Sequence, residues 1–174
     1  MRKHLQDTAL FMSIFALLTI INSYYLDLGL YSGLIMLALT VAIIVFMVKR
    51  LKSFRATQNS DEYGFKQAFG YTFLSYLSYS VAYLLFFFII VFLIDPGVQE
   101  VVIERGLEST YNMMSNFLST ESDEFRQAMY EAEKGLKNQF TTEGIIKNNL
   151  WSISFGLIVS LIIGAIYRNK KTAV

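Results

Sequence analysis

The sequence predicts an all-α membrane protein with four transmembrane helices and a helical extracytoplasmic loop between spans three and four. Hydrophobic residues make up 54% of the 174-residue chain, and the 17% that are charged are separated by long uncharged blocks. Residues 68–94 contain no charged side chain, and a helix needs only ~20 apolar residues to cross a bilayer. Basic residues collect on one side of the predicted spans and acidic residues on the other, which is typical of an oriented membrane protein.

The composition excludes several classes of protein. The length suits a single membrane domain over residues 1–174. The formal net charge of +1 offers no bulk basic character for binding nucleic acid. The absence of cysteine excludes disulfides and thiol chemistry. The N-terminus resembles a signal peptide, but it lacks a small-residue cleavage site and another apolar run follows at once, so we expect a retained first span.

Spans one and two are predicted at about residues 8–26 and 30–48, separated only by the sequence LDLG. So short a connection predicts a tight antiparallel hairpin. Asp27 in this turn is a proton site only if the turn enters the membrane, and a solvated turn carboxylate is the favoured interpretation. Basic residues dominate the connection to span three, and we interpret them as topology-setting charges rather than a specific lipid site: Lys49, Arg50, Lys52, Arg55 and Lys66.

Span three is predicted over residues 68–94 and carries a set of hydroxyl groups at helical spacing, which we call the hydroxyl stripe: Thr72, Tyr76, Tyr79 and Tyr83. Residues spaced by three and four lie on one face of a helix. Such a face either forms hydrogen bonds to neighbouring helices or lines a polar cavity or ligand site. We favour interhelical hydrogen bonding, because no ionisable residue accompanies the stripe.

The dipeptide Asp95-Pro96 predicts a helix break and the start of a new helix with Asp95 as its N-cap. The following loop, residues 95–149, contains two amphipathic patterns, so we expect two helices that pack on each other or lie on the membrane. Acidic residues outnumber basic ones in this loop by about two to one, which argues against strong binding to an anionic membrane surface.

Span four is predicted over residues 150–167 and contains a small residue at every fourth position, which we call the small-residue seam: Ser152, Gly156, Ser160 and Gly164. Small residues in register let another helix backbone approach closely. We expect the partner helix to belong to the same chain rather than to a second copy. The positive-inside rule then places both termini in the cytoplasm and the loop 95–149 outside.

Several short segments together carry a family resemblance: YGFKQAFGYTF at the entry to span three, the Asp95-Pro96 break, EAEKGLKNQF in the loop and LIIGAIYRNKK at the end of span four. With the opening hairpin, they make the whole chain similar to the domain of unknown function 4199 family, which consists of small bacterial membrane proteins of the Bacteroidetes type. The resemblance implies a four-span protein of the bacterial cytoplasmic (inner) membrane. It implies no activity and no catalytic residues.

Nothing in the sequence predicts a catalytic, cofactor or metal site, and we expect no enzyme activity. His4 is the only histidine and is placed in a flexible basic tail without a partner for a metal. Asn22, near the outer end of span one, is expected to hydrogen-bond to a neighbouring residue. Intramembrane enzymes need a nucleophile with a base or a metal, and neither is evident here.

Three functions remain, of which a membrane enzyme is the weakest, because it would need a cofactor or substrate-derived chemistry that the sequence does not indicate. The first is a structural or accessory interaction subunit of the cell envelope, favoured because packing features outnumber chemical ones. The alternative is an oligomeric small transporter or channel subunit that uses the hydroxyl stripe, although four spans would have to oligomerise to enclose a pathway. The expected partners are the lipid bilayer and either further copies of the chain or a larger membrane complex.

Overall fold

The computed structural model describes residues 2–26, 30–57 and 64–167, and within these ranges all regular structure is helical. The described part therefore confirms the all-α fold class. The predicted turn at Asp27 lies outside it, as does part of the connection to span three, residues 58–63. The α-helices are α1 (Arg2–Ile20), α2 (Leu30–Ala56), α3 (Phe65–Phe88), α4 (Val98–Met114), α5 (Asp123–Asn138) and α6 (Thr142–Tyr167).

Two of these helices continue as π-helix. Residues Ile21–Tyr25 extend α1, and residues Ile89–Ile94 extend α3. Each π segment closes with a backbone hydrogen bond over five residues, from Leu26 N to Ile21 O (3.1 Å) and from Asp95 N to Ile90 O (2.8 Å). Both long helices therefore end in a wider turn than an α-helix provides.

In the described part of the chain, four helical stretches are long and apolar enough to cross a membrane: Lys3–Tyr25, Tyr31–Ala56, Phe65–Ile94 and Thr142–Tyr167. The chain is accordingly a multi-pass membrane protein. The helices are longer than the predicted spans at their polar ends. In particular, α2 continues through the basic segment expected to form part of the connection, because Leu51 and Phe54 in that segment are buried against the other helices.

The chain breaks after Ile94, but Asp95 is not the N-cap of the next helix, so that prediction is wrong. Helix α4 begins at Val98 with Gly97 as its N-cap and no side-chain capping bond. Asp95 instead ends the preceding π segment, and its backbone carbonyl accepts a hydrogen bond from Val98 N (3.2 Å). Because Pro96 and Gly97 form a turn at this point, the helix starts too late for the Asp95 side chain to cap it.

The described structure divides into two compact units. The first, the span unit, contains residues up to Phe87 together with those from Trp151 onward. Its buried core is mixed aromatic and aliphatic: Met12, Ile43, Met47, Leu51, Phe54, Ala68, Tyr71, Tyr76 and Ile163. Many large apolar side chains on its outer faces are exposed, as expected where the surrounding medium is lipid rather than water.

The second unit, Phe88–Leu150, contains the pair α4 and α5. The two helices pack on each other: the Tyr111 ring meets the Phe125 ring edge-on at 5.4 Å, and Leu136 lies against Gly106. Ser122 caps α5 by accepting a hydrogen bond from Phe125 N (3.1 Å). Mutual packing of the two loop helices, one of the arrangements that the sequence left open, is therefore observed.

Candidate functional site

The hydroxyl stripe on α3 meets the small-residue seam on α6 at Tyr76. The Tyr76 hydroxyl lies 3.0 Å from Ser152 Oγ, so the two side chains share a hydrogen bond. The Tyr76 ring lies directly over Gly156, where an added Cβ would overlap the ring carbons. Only a residue without a side chain allows this contact, so Gly156 positions the ring and Ser152 holds its hydroxyl.

The rest of the seam also lies within the span unit. A Cβ at Gly164 would come within 3.1 Å of both Cβ and the backbone nitrogen of Phe69, so α6 approaches the α3 backbone closely there. Ser160 is fully buried, and its Oγ has no hydrogen-bond partner among the described residues. The glycines of the seam thus contact α3 of the same chain.

The other members of the stripe have different partners. Tyr79 donates a hydrogen bond from its hydroxyl to Thr19 Oγ1 on α1 (3.2 Å). The Tyr83 ring stacks on Phe87 of the same helix, with ring centroids 6.1 Å apart. Thr72 turns back on its own helix and donates to Ala68 O (2.9 Å). The stripe therefore links α3 to α6 through Tyr76 and to α1 through Tyr79.

A second link joins α1 to α2. Asn22 is almost completely buried, and its Nδ2 donates to the backbone oxygen of Ser32 (3.2 Å). Ser32 Oγ in turn donates to the backbone oxygen of Asn22 (3.4 Å). The expectation that Asn22 hydrogen-bonds to a neighbour is confirmed.

The structure also contains a polar cluster that sequence reasoning missed, which we call the Arg50 cluster: His4, Asp7, Thr8, Arg50 and Tyr71. Arg50 donates from Nε to Thr8 Oγ1 (3.1 Å) and from its terminal nitrogen to His4 O (3.4 Å). The same guanidinium lies 3.8 Å from the Asp7 carboxylate. The buried Tyr71 hydroxyl shares a hydrogen bond with Thr8 Oγ1 (2.9 Å). Thr8 is therefore the point where α1, α2 and α3 are joined.

Aromatic contacts support this cluster. The Tyr71 ring stacks on Phe54, with centroids 4.6 Å apart and planes 9° from parallel. The His4 ring contacts the same Phe54 ring edge-on, with the two ring centroids 6.0 Å apart. His4 is thus helical and half-buried, so its placement in a flexible tail is wrong. Its Nδ1 is buried without a hydrogen-bond partner among the described residues.

One sequence signal could have identified part of the cluster. Asp7 stands at the start of span one and Arg50 at the end of span two, so an antiparallel hairpin brings these opposite charges to the same end. Tyr71 gave no such signal, because it lies beside the stripe rather than on it and its role depends on the rotation of α3.

The chemistry available in the span unit includes hydrogen bonds and the ion pair between Arg50 and Asp7. Within residues 2–26, 30–57 and 64–167, no group of three metal-ligating side chains is close enough to hold a metal ion. The paired groups are hydroxyls, an amide and a guanidinium, and each pair joins two helices or a helix to its own backbone. Such an arrangement fixes how the helices are packed.

Comparison with known proteins gives one positive result. The family model described as "Protein of unknown function (DUF4199)" matches residues 8–169. This range contains the hydroxyl stripe, the small-residue seam and the Arg50 cluster from Thr8 onward, so the resemblance read from the sequence is confirmed. Neither the search of curated proteins nor the search of solved structures returned a match.

Proposed function

The chain belongs to the DUF4199 family of proteins of unknown function, and from that premise we propose that it is a structural or accessory interaction subunit of a bacterial inner-membrane assembly. It carries out no reaction of its own. Its interior polar groups hold the spans together, and its outward surfaces engage a larger complex of the cell envelope.

One observation carries this proposal: the hydroxyls of the stripe are engaged within the chain. Tyr76 binds Ser152, Tyr79 binds Thr19, and Thr72 binds its own backbone. A pathway for a polar solute would need these hydroxyls to face the solute, and each hydroxyl would then lose its present hydrogen-bond partner. The pattern of contacts therefore favours helix packing over transport.

The surfaces left for a partner lie outside the seam, because its glycines pack against α3. They are the exposed apolar faces of the spans and the pair α4 and α5. Large apolar side chains are exposed at the end of α4 (Met113) and in the turn after it (Phe117). Apolar surface of this kind is where we expect a protein partner to bind.

The proposed orientation puts both termini in the cytoplasm and the pair α4 and α5 outside. Its support is the charge distribution: the connection after α2 is basic, whereas residues 95–149 are acidic. The test uses a reporter that is active only outside the cytoplasm. Fused after Ser119, between α4 and α5, this reporter is expected to be active. The same reporter at the C-terminus is the control and should be inactive. The opposite pattern would reverse the orientation.

The accessory role is tested by gentle extraction from the native membrane, followed by native mass analysis and identification of copurifying chains. We expect a complex with a defined partner at a fixed stoichiometry. A homo-oligomer alone would instead favour the transporter, and solute flux should then fall when Tyr76, Tyr79 and Tyr83 are all changed to phenylalanine. A lone monomer under several mild conditions would contradict the accessory role.

A further inference from the structure

The second unit contains a groove at the junction of α5 and α6 that plays no part in the packing described above. Its volume is about 780 Å³, and its walls include Tyr130, Lys134, Asn138, Thr141 and Glu143. This volume falls within the range of sites that bind small molecules or the polar part of a lipid. The lining mixes polar and apolar surface and includes side chains of both charges.

The groove is built on a rigid corner. Thr141 donates from Oγ1 to Asn138 O (2.7 Å) and accepts a hydrogen bond from Gly144 N (3.1 Å). Gly144 packs so closely on the Asn138 carbonyl that an added Cβ would overlap it. These contacts fix the turn between α5 and α6, which sets the angle between the two helices that form the groove walls.

Two opposite charges in the groove are available to a ligand. Lys137 is neutralised by Glu133, with Nζ and Oε1 2.5 Å apart. By contrast, Lys134 and Glu143 have neither an ion pair nor a hydrogen bond to another side chain in the described chain. A ligand that carries both an anionic and a cationic group would satisfy them together, whereas a purely anionic one would meet the excess of carboxylates.

The groove continues into an exposed apolar face of α6. Glu143, Ile146 and Leu150 are spaced by three and four residues, so they lie on one side of the helix. Ile146 is 55% exposed and Leu150 59% exposed. Leu150 stands seven positions after Glu143, which corresponds to about 10 Å along the helix. One headgroup layer is about 5–8 Å thick, so a lipid headgroup at Glu143 would have its acyl chains at the level of Leu150.

We propose that this groove binds a phosphoethanolamine group, with its phosphate at Lys134 and its ammonium at Glu143. The apolar face below the groove identifies the source as a phospholipid whose acyl chain lies along Ile146 and Leu150. Ammonium and phosphate groups both form charge-assisted hydrogen bonds, which are stronger than neutral ones. This binding is independent of the accessory role and would persist if no protein partner existed.

The test uses the full-length protein reconstituted in nanodiscs that contain equal amounts of phosphatidylethanolamine and phosphatidylcholine. After mild release into detergent, native mass spectrometry measures how much of each lipid stays bound. The double variant Lys134→Gln, Glu143→Gln removes both charges from exposed positions of the groove. The matched control, Glu121→Gln with Arg126→Gln, removes one charge of each sign outside the groove.

We expect the protein to retain phosphatidylethanolamine over phosphatidylcholine, and the groove variant to retain about tenfold less, because it loses two solvent-exposed ion pairs, each of which contributes only modestly. The control should retain the lipid normally. Equal retention of the two lipids, or equal loss in both variants, would overturn the proposal. An unchanged helical content of the groove variant shows that its loss is not a folding defect.

A competition experiment separates the two sources of the headgroup. Soluble phosphoethanolamine is added to the lipid-loaded protein at increasing concentration. Little displacement supports a membrane lipid as the ligand, because the acyl chain adds binding along α6. Complete displacement by the soluble compound, with weak binding of the lipid itself, would overturn the assignment to a lipid.

Discussion

Different kinds of contact join the helices within each of the two units. In the span unit, the contacts that join one helix to another include many polar pairs, such as Tyr76 with Ser152 and Arg50 with Thr8. In the unit Phe88–Leu150, α4 and α5 meet through apolar groups, with Tyr111 against Phe125 and Leu136 against Gly106. The charged side chains of that pair lie mostly on its outer surface.

The difference is consistent with the proposed placement of the pair α4 and α5 outside the membrane. In a bilayer, the lipid tails are as apolar as leucine, so burying apolar surface between helices gains little, and hydrogen bonds and close packing decide which helices associate. In water, burying apolar surface is the main driving force. Buried polar groups therefore indicate which of the spans associate, and buried apolar groups indicate how α4 and α5 associate.

The glycines at the helix contacts make the comparison specific. Gly156 in the span unit faces the rigid ring of Tyr76, whereas Gly106 in the second unit faces the flexible end of Leu136. A ring held by a hydrogen bond cannot move aside without losing its partner. A leucine side chain can change rotamer at small cost. The same substitution should accordingly have very different effects in the two units.

The largest effect is expected for Gly156→Leu, which forces a side chain into the position of the Tyr76 ring. Overpacking of this kind costs about 3 kcal/mol, and the bond to Ser152 is lost with it. The midpoint temperature of the monodisperse protein in detergent should fall sharply. Gly33→Leu is the matched control, because a Cβ at Gly33 meets nothing within 4 Å. Equal shifts for the two variants would mean that the close contact with Tyr76 contributes nothing.

An intermediate effect is expected for Arg50→Met, which removes the donor to Thr8 and the ion pair with Asp7. The Arg50 side chain is 22% exposed, so water partly compensates, and we expect a loss of about 1–2 kcal/mol. A double-mutant cycle with Thr8→Val measures the coupling, and Lys49→Met, on the exposed face of α2, is the control. Additive effects of Arg50→Met and Thr8→Val would show that the hydrogen bond between them does not stabilise the spans.

The smallest effect is expected for Gly106→Ala in the second unit. Alanine favours a helix by about 1 kcal/mol over glycine, and displacement of Leu136 offsets most of that gain. Gly135→Ala is the control, because a Cβ there meets nothing within 4 Å and the helix preference should appear in full. Hydrogen exchange of the α4 and α5 amides measures the local stability of both variants. A strong loss of protection in Gly106→Ala would remove the proposed contrast between a rigid and a flexible neighbour.

Much of the fold could be predicted because it depends on local composition. The apolar blocks predicted the four spans, and periodic apolar residues predicted α4 and α5. The polar ends of the helices were harder to predict, because the charges after Val48 look like a loop even though Leu51 and Phe54 among them are buried. The cap at Asp95 was misassigned for a related reason, since a proline next to a glycine can form either a turn or the first residues of a helix.

The candidate site was predicted only where it depends on spacing within one helix. The hydroxyl stripe and the small-residue seam are such patterns. The Arg50 cluster is not such a pattern, because its side chains come from three helices, α1, α2 and α3, that meet at Thr8. The groove at Lys134 and Glu143 depends likewise on the angle of the corner at Thr141, which no periodic pattern encodes.

The sequence by itself determined the number of spans, the two loop helices and the faces that carry hydroxyl and small residues, because each follows from the composition and period of a single segment. Only the tertiary structure decided which helices those faces meet. It sends Tyr76 to α6 but Tyr79 to α1, although the two residues are three apart on one stripe. The reason is geometric: a stripe of hydroxyls provides donors and acceptors, and the packing of neighbouring helices selects the partner of each.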